Sequence, residues 1–450
     1  MLKPVPISAL LFSLTQAGAL PAAEPIAVSE PNKSAVLNAP VTVDWNFHAQ
    51  STFVGQAHSM FPAPVSGPNS LHNQMEFKRT VSVDLMLGRR LWRGAEFYVD
   101  GMMWQGYGLS DATGAAGFPN GEAFRLGTQI PNVSFSRVFL RQTIGLGGEQ
   151  ETVADDAQQL AGTRDSSRLT FTVGKLSAKD IFDRNAYAND PRTQFLNWSL
   201  MANGAWDFPA DALGYTSGAA VEWNESNWAA RAGTFLVPRY ANGTSMDKSF
   251  TRSWSTVFEL EHRHTLADRP GAVRWLTFLT QSQMGSYAET VANPALGGNI
   301  LATRAWRKKF GFGLNAEQEI VPDLGGFLRV GWNDGQNQTW MFTDVDRTVS
   351  AGLSLKGRAW GRAEDTLGVA GVVNGISLDH RRFLAVGGTG ITVGDGGLNY
   401  APEILTEVYY DARLPWCTHA MLDFQFVTNP AYNRDRGPVP IVGARLHWEF

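Results

Sequence analysis

Apolar and polar residues alternate in steps of two through most of this chain, the period of a half-buried β-strand. Val41, Val43, Trp45, Phe47 and Ala49 alternate with Thr42, Asp44, Asn46, His48 and Gln50. Val81, Val83, Leu85 and Leu87 alternate with Thr80, Ser82, Asp84 and Met86. The same rhythm recurs around Phe97 and Val99, Val138 and Leu140, Leu169 to Val173, Phe310 to Ala316, Ile404 to Tyr410, and Ala420 to Phe426. The chain stops on it: Val442, Ala444, Leu446, Trp448 and Phe450 form one apolar face, against Gly443, Arg445, His447 and Glu449. The segments suffice for about 16 strands of about 10 residues, the length that crosses a bilayer at a tilt. Short turns at 89–94 and 224–227 contrast with long polar segments at 109–130, 147–167, 283–303 and 374–400.

Alternation alone also fits a soluble sandwich. Three features favour lipid outside and water inside. Trp45, Trp92, Trp104, Trp223, Trp228, Trp254, Trp275 and Trp448 lie near strand ends, as in interfacial girdles. The polar faces carry both signs of charge, and the strands outnumber those of one sandwich. The expected fold is all-β: a transmembrane antiparallel β-barrel of about 16 strands, with short periplasmic turns and long extracellular loops. Residues 1–23 read as a secretory signal peptide, with Lys3, an apolar stretch and small residues at Ala17-Gly18-Ala19 and Pro21-Ala22-Ala23. Residues 24–40 read as a flexible leader and 41–450 as one barrel domain, which implies export to the bacterial outer membrane. After residue 23 no run of about 18 apolar residues follows, so a membrane crossing has to be built from strands.

Composition narrows the chemistry. The net charge is 38 − 42 = −4, and no basic cluster with interleaved aromatics points to nucleic acid. Cys417 is the single cysteine, which excludes an internal disulfide and reads as a turn residue. His262 and His264 share one strand face without a third metal ligand in view. The glycine-rich stretch 387–397 lacks the Lys of a phosphate loop. No nucleophile motif flags an enzyme, and nothing calls for a cofactor.

The stretch "GKLSAKDIFDRNAYANDPRTQFLNWSLMANGAWDFPADALGYTSGAAVEW", residues 174–223, resembles the signature region of the OprB-type carbohydrate-selective porins. The ending resembles that family's C-terminal block, with "NPAYNRDRGPV" at 429–439 the most specific part. The resemblance runs over residues 41–450, matching at 240–390 in rhythm alone. Ile404-Leu405 and "LPWCTH" depart from the family pattern. The resemblance implies a 16-stranded outer-membrane barrel that passes glucose and related small carbohydrates by passive diffusion.

A sugar offers flat CH faces and a ring of hydroxyls. A selective constriction therefore needs aromatic surface together with donors and acceptors of both signs, and weak enough binding for release. The segment 180–211 is dense in such groups, and part of it is expected to fold inward: Asp183, Arg184, Asn185, Arg192, Asn197 and Trp198, with Asp190, Gln194, Trp206 and Asp207 nearby. Parity adds the lumen-facing Glu76, Lys78, Asp84, Asp100, Arg137, Arg141, Arg231, Glu407 and Arg445, and puts Arg79 outward. Arg137 and Arg141 share a face about 13 Å apart, with Lys175 at the same level. Expected partners are small carbohydrates, outer-membrane lipid and, through the terminal Phe450, the barrel-assembly machinery. A lone barrel and a homotrimer both remain open, as does a general or ion-selective porin without sugar preference.

Overall fold

The computed structural model describes residues 42–125 and 127–450, so Val41 and the signal-peptide and leader readings fall outside the described residues. Sixteen antiparallel strands close into one barrel. They are β1 (Trp45–His58), β2 (Glu76–Trp92), β3 (Ala95–Gly106), β4 (Thr128–Val153), β5 (Gly162–Leu176), β6 (Thr216–Asn224), β7 (Trp228–Phe235) and β8 (Trp254–Leu266). The second half comprises β9 (Arg269–Met284), β10 (Ala305–Val321), β11 (Leu324–Asn333), β12 (Arg347–Gly357), β13 (Arg362–Gly375), β14 (Glu403–Leu414), β15 (Thr418–Thr428) and β16 (Val439–Glu449). Each strand pairs with its sequence neighbours, and β1 pairs with β16 from Gln50↔Glu449 to His58↔Ile441. That last pairing removes both sheet edges, which is what permits strands to cross hydrocarbon.

The greasy face points outward, as the alternation requires. On β16 and β15, Val442, Leu446, Leu422 and Phe424 are exposed, while Arg445, His447, Asp423 and Gln425 are buried in the bore. Asp84, Asp100, Arg231 and Glu407 likewise face inward, and Arg79 faces out. Trp45, Trp92, Trp416 and Trp448 are exposed on one rim. Trp104 departs from the expected girdle: it is buried with Met102 and Tyr215. It lies at a strand end, but its even-numbered position on β3 aims it inward with Met102.

The connections alternate between a rim of long loops (59–75, 107–127, 177–215, 236–253, 285–304, 334–346, 376–402, 429–438) and a rim of short turns. Some long loops carry helices the alternation does not predict, α1 (Trp198–Met201), α2 (Tyr287–Ala292) and α3 (Leu378–Ala385). The polar segment 147–167 is a correction. It is mostly strand, since β4 runs 26 residues to Val153, and the loop 154–161 that joins it to β5 lies on the short-turn rim. Beyond the hydrocarbon neither face of a hairpin must be apolar, so the period-two signal vanishes although the pairing continues.

Candidate functional site

Loop 177–215 leaves β5 and folds into the bore, where it packs against β8, β10, β11 and β14–β16. Its anchor is Asp183, placed in the left-handed region at φ 54°. One carboxylate oxygen accepts from Arg329 Nε at 3.1 Å and Asn315 Nδ2 at 2.7 Å. The other accepts from Lys179 Nζ at 3.1 Å and the Asn203 amide at 2.8 Å. The Asp183 amide donates to Glu259 at 2.7 Å. Burial pushes the Asp183 carboxyl up, but Arg329 and Lys179 outweigh it and hold it at about 2. The same burial pulls the Lys179 ammonium down to about 8, with Asp183 opposing.

Asn185 donates to Asn315 at 2.7 Å and accepts from the amides of Tyr187 and Ala188. Asn197 caps α1 through Ser199 N at 3.0 Å and donates to Gly117 O and Gln425. Glu407 accepts from the amides of Leu196 and Asn197 at 2.6 and 2.9 Å. Arg445 donates to the carbonyls of Pro191 and Gln194. Asp207 ties loop 334–346 to this body through the amides of Trp340 and Phe342, each at 2.8 Å. Asp183, Asn185 and Asn197 are thus enclosed where loop meets wall. Glu76 sits apart and fastens loop 107–127 through the Ser110 amide and hydroxyl at 2.9 and 2.8 Å.

The open passage lies on the other side of the loop. A cavity of about 1590 Å³ runs from Asn242 and Thr392 in the long loops to Arg93 and Phe450 at the short-turn rim. Arg137, Arg141, Arg184, Arg192 and Trp198 line it. Arg192 pairs with Asp84 and with Glu122, each at 3.0 Å. Arg137 grips Asp180 with two bonds of 2.7 Å, reaches Asp100 at 3.4 Å and lies over the Tyr215 ring at 5.3 Å. Arg141 donates to Gln158 O at 2.8 Å. Lys175 donates to Phe135 O at 2.7 Å, beside Tyr215. Trp198 stacks on Phe118 with centroids 5.1 Å apart and also meets Phe208 and Phe342, so little of its ring face is left free. Trp206 is buried against Phe182 and Phe208. Guanidinium–carboxylate pairs therefore face the passage beside an aromatic cluster.

Several of these groups were not singled out from the sequence. Arg329 had a readable signal, since it alternates with Leu328 and Val330 on β11. Glu122, Phe118 and Tyr215 lie in irregular segments where no period marks a face.

A closed antiparallel barrel with a greasy outer band, a charged bore and an inward-folded loop defines an outer-membrane porin, a channel and not an enzyme. The sequence matches the OprB family of carbohydrate-selective porins over residues 68–450, and the chain belongs to that family. No curated protein matches it in sequence. It superposes on the high-pH structure of Pseudomonas putida OprB with a TM-score of 0.68 at 15% identity, covering 90% of this chain and 94% of that one. The low-pH structure of the same protein gives 0.49 at 12% identity, covering 90% and 93%. The outer membrane channel DcaP of Acinetobacter baumannii gives 0.48 at 8%, covering 92% and 100%. At these identities the likeness is one of fold.

Proposed function

We propose that the chain passes small neutral carbohydrates of the glucose class across the outer membrane by passive diffusion along this passage. The observation that carries the reading is the pairing of Arg137 with Asp180 and of Arg192 with Asp84 and Glu122 beside the Phe118–Trp198 cluster. Guanidinium groups donate to sugar hydroxyls, and the lining carboxylates of Asp180 and Glu122 accept from them, while the part of the aromatic cluster that lines the cavity offers apolar surface to the CH faces. Arg137, Arg141, Arg184 and Arg192 are assigned to sugar contact. Asp183, Asn185, Asn197, Asp84 and Glu76 are assigned to positioning, and Lys175 to the charge at the level of Tyr215. Residues 1–23 are assigned to export, and the Phe450 end to recognition by the assembly machinery.

In planar bilayers, glucose should lower the ion current and a similar-sized amino acid should not. Equal block by both would make the channel a general porin. Trp198→Ala should raise the half-blocking glucose concentration about 2- to 10-fold, the 0.5–1.5 kcal/mol of an aromatic contact. An unchanged value would remove the aromatic cluster from the site.

A further inference from the structure

The β4–β5 hairpin overruns the barrel. Pairing of β4 with β3 ends at Gln142, and pairing of β5 with β6 begins at Arg168. The two strands nevertheless stay paired to Val153↔Gly162. Register shifts fall at Gly145/Gly147 and Gly147/Gln150, and Gly147 and Gly148 take φ of 106° and 86°, which favour glycine. Asp165 accepts from the Gly147 amide at 2.8 Å and from the Gln150 side chain, fastening the bend.

The ribbon does not hang free. Its tip returns to the inside of the wall formed by β1–β4. Asn46 Nδ2 donates to Asp155 at 2.8 Å and to the carbonyls of Asp156 and Gln159, each at 3.0 Å. Gln158 Nε2 donates to Asp100 at 2.7 Å, and Arg141 holds Gln158 O. Leu160 is buried in the core cluster of Tyr98 and Phe139, its amide on the Tyr98 hydroxyl at 3.2 Å. Asp156, Gln158 and Gln159 line the same cavity as Arg137 and Trp198. Their side-chain bonds use Asp156 Oδ1, Gln158 Nε2 and Gln159 Nε2. Asp156 Oδ2, Gln158 Oε1 and Gln159 Oε1 therefore remain as acceptors, beside the donors of Arg141.

We propose that this ribbon is a second constriction at the short-turn mouth, and that Asp156, Gln158 and Gln159 form a second hydroxyl-binding site for a sugar leaving the passage. The ligand class rests on the sugar-porin reading above; the narrowing does not. A sugar would thus be held between two grips, one at the inward loop and one at the ribbon, each weak enough to release it.

The test uses the full-length protein in planar bilayers, with residues 149–164 replaced by Asn-Gly. Polyethylene glycols of graded size are added to either side, and glucose block is titrated. The largest polymer that enters from the short-turn side should grow, with no change from the long-loop side. The half-blocking glucose concentration should rise about 3- to 10-fold, the loss of one ordinary hydrogen bond or slightly more. If the shortened chain forms no barrel, the double variant Asn46→Ala, Gln158→Ala keeps the backbone and should shift both readings in the same direction. Unchanged polymer cut-off in a folded variant overturns the second constriction. A changed cut-off with unchanged glucose block overturns the second sugar site. A wild-type channel that glucose does not block overturns the sugar reading itself, and the polymer cut-off then decides the constriction alone.

Discussion

Asp183→Ala should release the inward loop from its wall, raise the single-channel conductance and make the current flicker between levels. The reason is the number of groups that converge on one carboxylate. Arg329 and Lys179, both at least nine-tenths buried, face it along with Asn315 and the Asn203 amide. Removing the shared anion leaves two buried cations without their partner, a loss of about 3–5 kcal/mol. The barrel itself should survive, because its ladder hydrogen bonds do not pass through Asp183. Heat-modifiable migration on gels should therefore persist while conductance changes. The same lock has an acid limit. The Asp183 carboxyl is held at about 2 in the folded chain, against about 3.9 when unfolded. Its contribution of about 2–3 kcal/mol is complete above the unfolded value and is lost as pH falls through the folded one. Conductance of the wild type should thus rise between about pH 4 and pH 2, and the Asp183→Ala variant should lack that transition. Burial makes the charged Lys179 a cost instead: its folded value of about 8 lies below the ordinary one, and that cost is relieved only as pH rises from there. A variant with wild-type conductance and an unaltered acid transition would show that Asp183 does not hold the loop.

The strands were legible because hydrocarbon tolerates no polar side chain on the outer face, which forces an apolar residue at every second position. That rule reaches as far as the membrane does. It placed Arg445, Glu407 and Asp84 in the bore correctly, and it would have placed Arg329 and turned Trp104 inward had parity been followed there. It fails for the β4–β5 ribbon, which leaves the bilayer and loses the constraint while keeping its pairing. It fails again for the inward loop. Asp183 bonds Asn315 and Arg329 across 132 and 146 residues of sequence. The sequence alone marks that aspartate as polar and gives no sign of which wall it will meet. The loop candidates from Asp183 to Trp198 were therefore recognisable as one dense segment, but their division into those that face the passage and those that seat the loop was not. That division depends on the side of the bore to which the loop packs, a property of the closed barrel and not of any local pattern.

Charge at the passage gives the second large effect. Arg137 is the ion-pair partner of both Asp100 and Asp180, at 3.4 and 2.7 Å, and the described residues supply neither carboxylate with another. Arg137 is the one positive charge of this group of three, and Arg137→Ala removes it beside a cavity that ions must cross, leaving a more negative wall. In a narrow bore with low-dielectric walls such a change concentrates cations. The reversal potential in a KCl gradient should move toward potassium selectivity. Glucose block should weaken about tenfold, since a charge-assisted hydrogen bond carries about 1.5 kcal/mol or more. Arg137→Lys separates the two roles. Lysine restores the charge but not the two parallel bonds of the guanidinium fork, so ion selectivity should return to the wild-type value while glucose block recovers only in part. Both properties unchanged in Arg137→Ala would mean that this arginine merely braces Asp180 against β3, and the sugar would have to be gripped elsewhere in the passage.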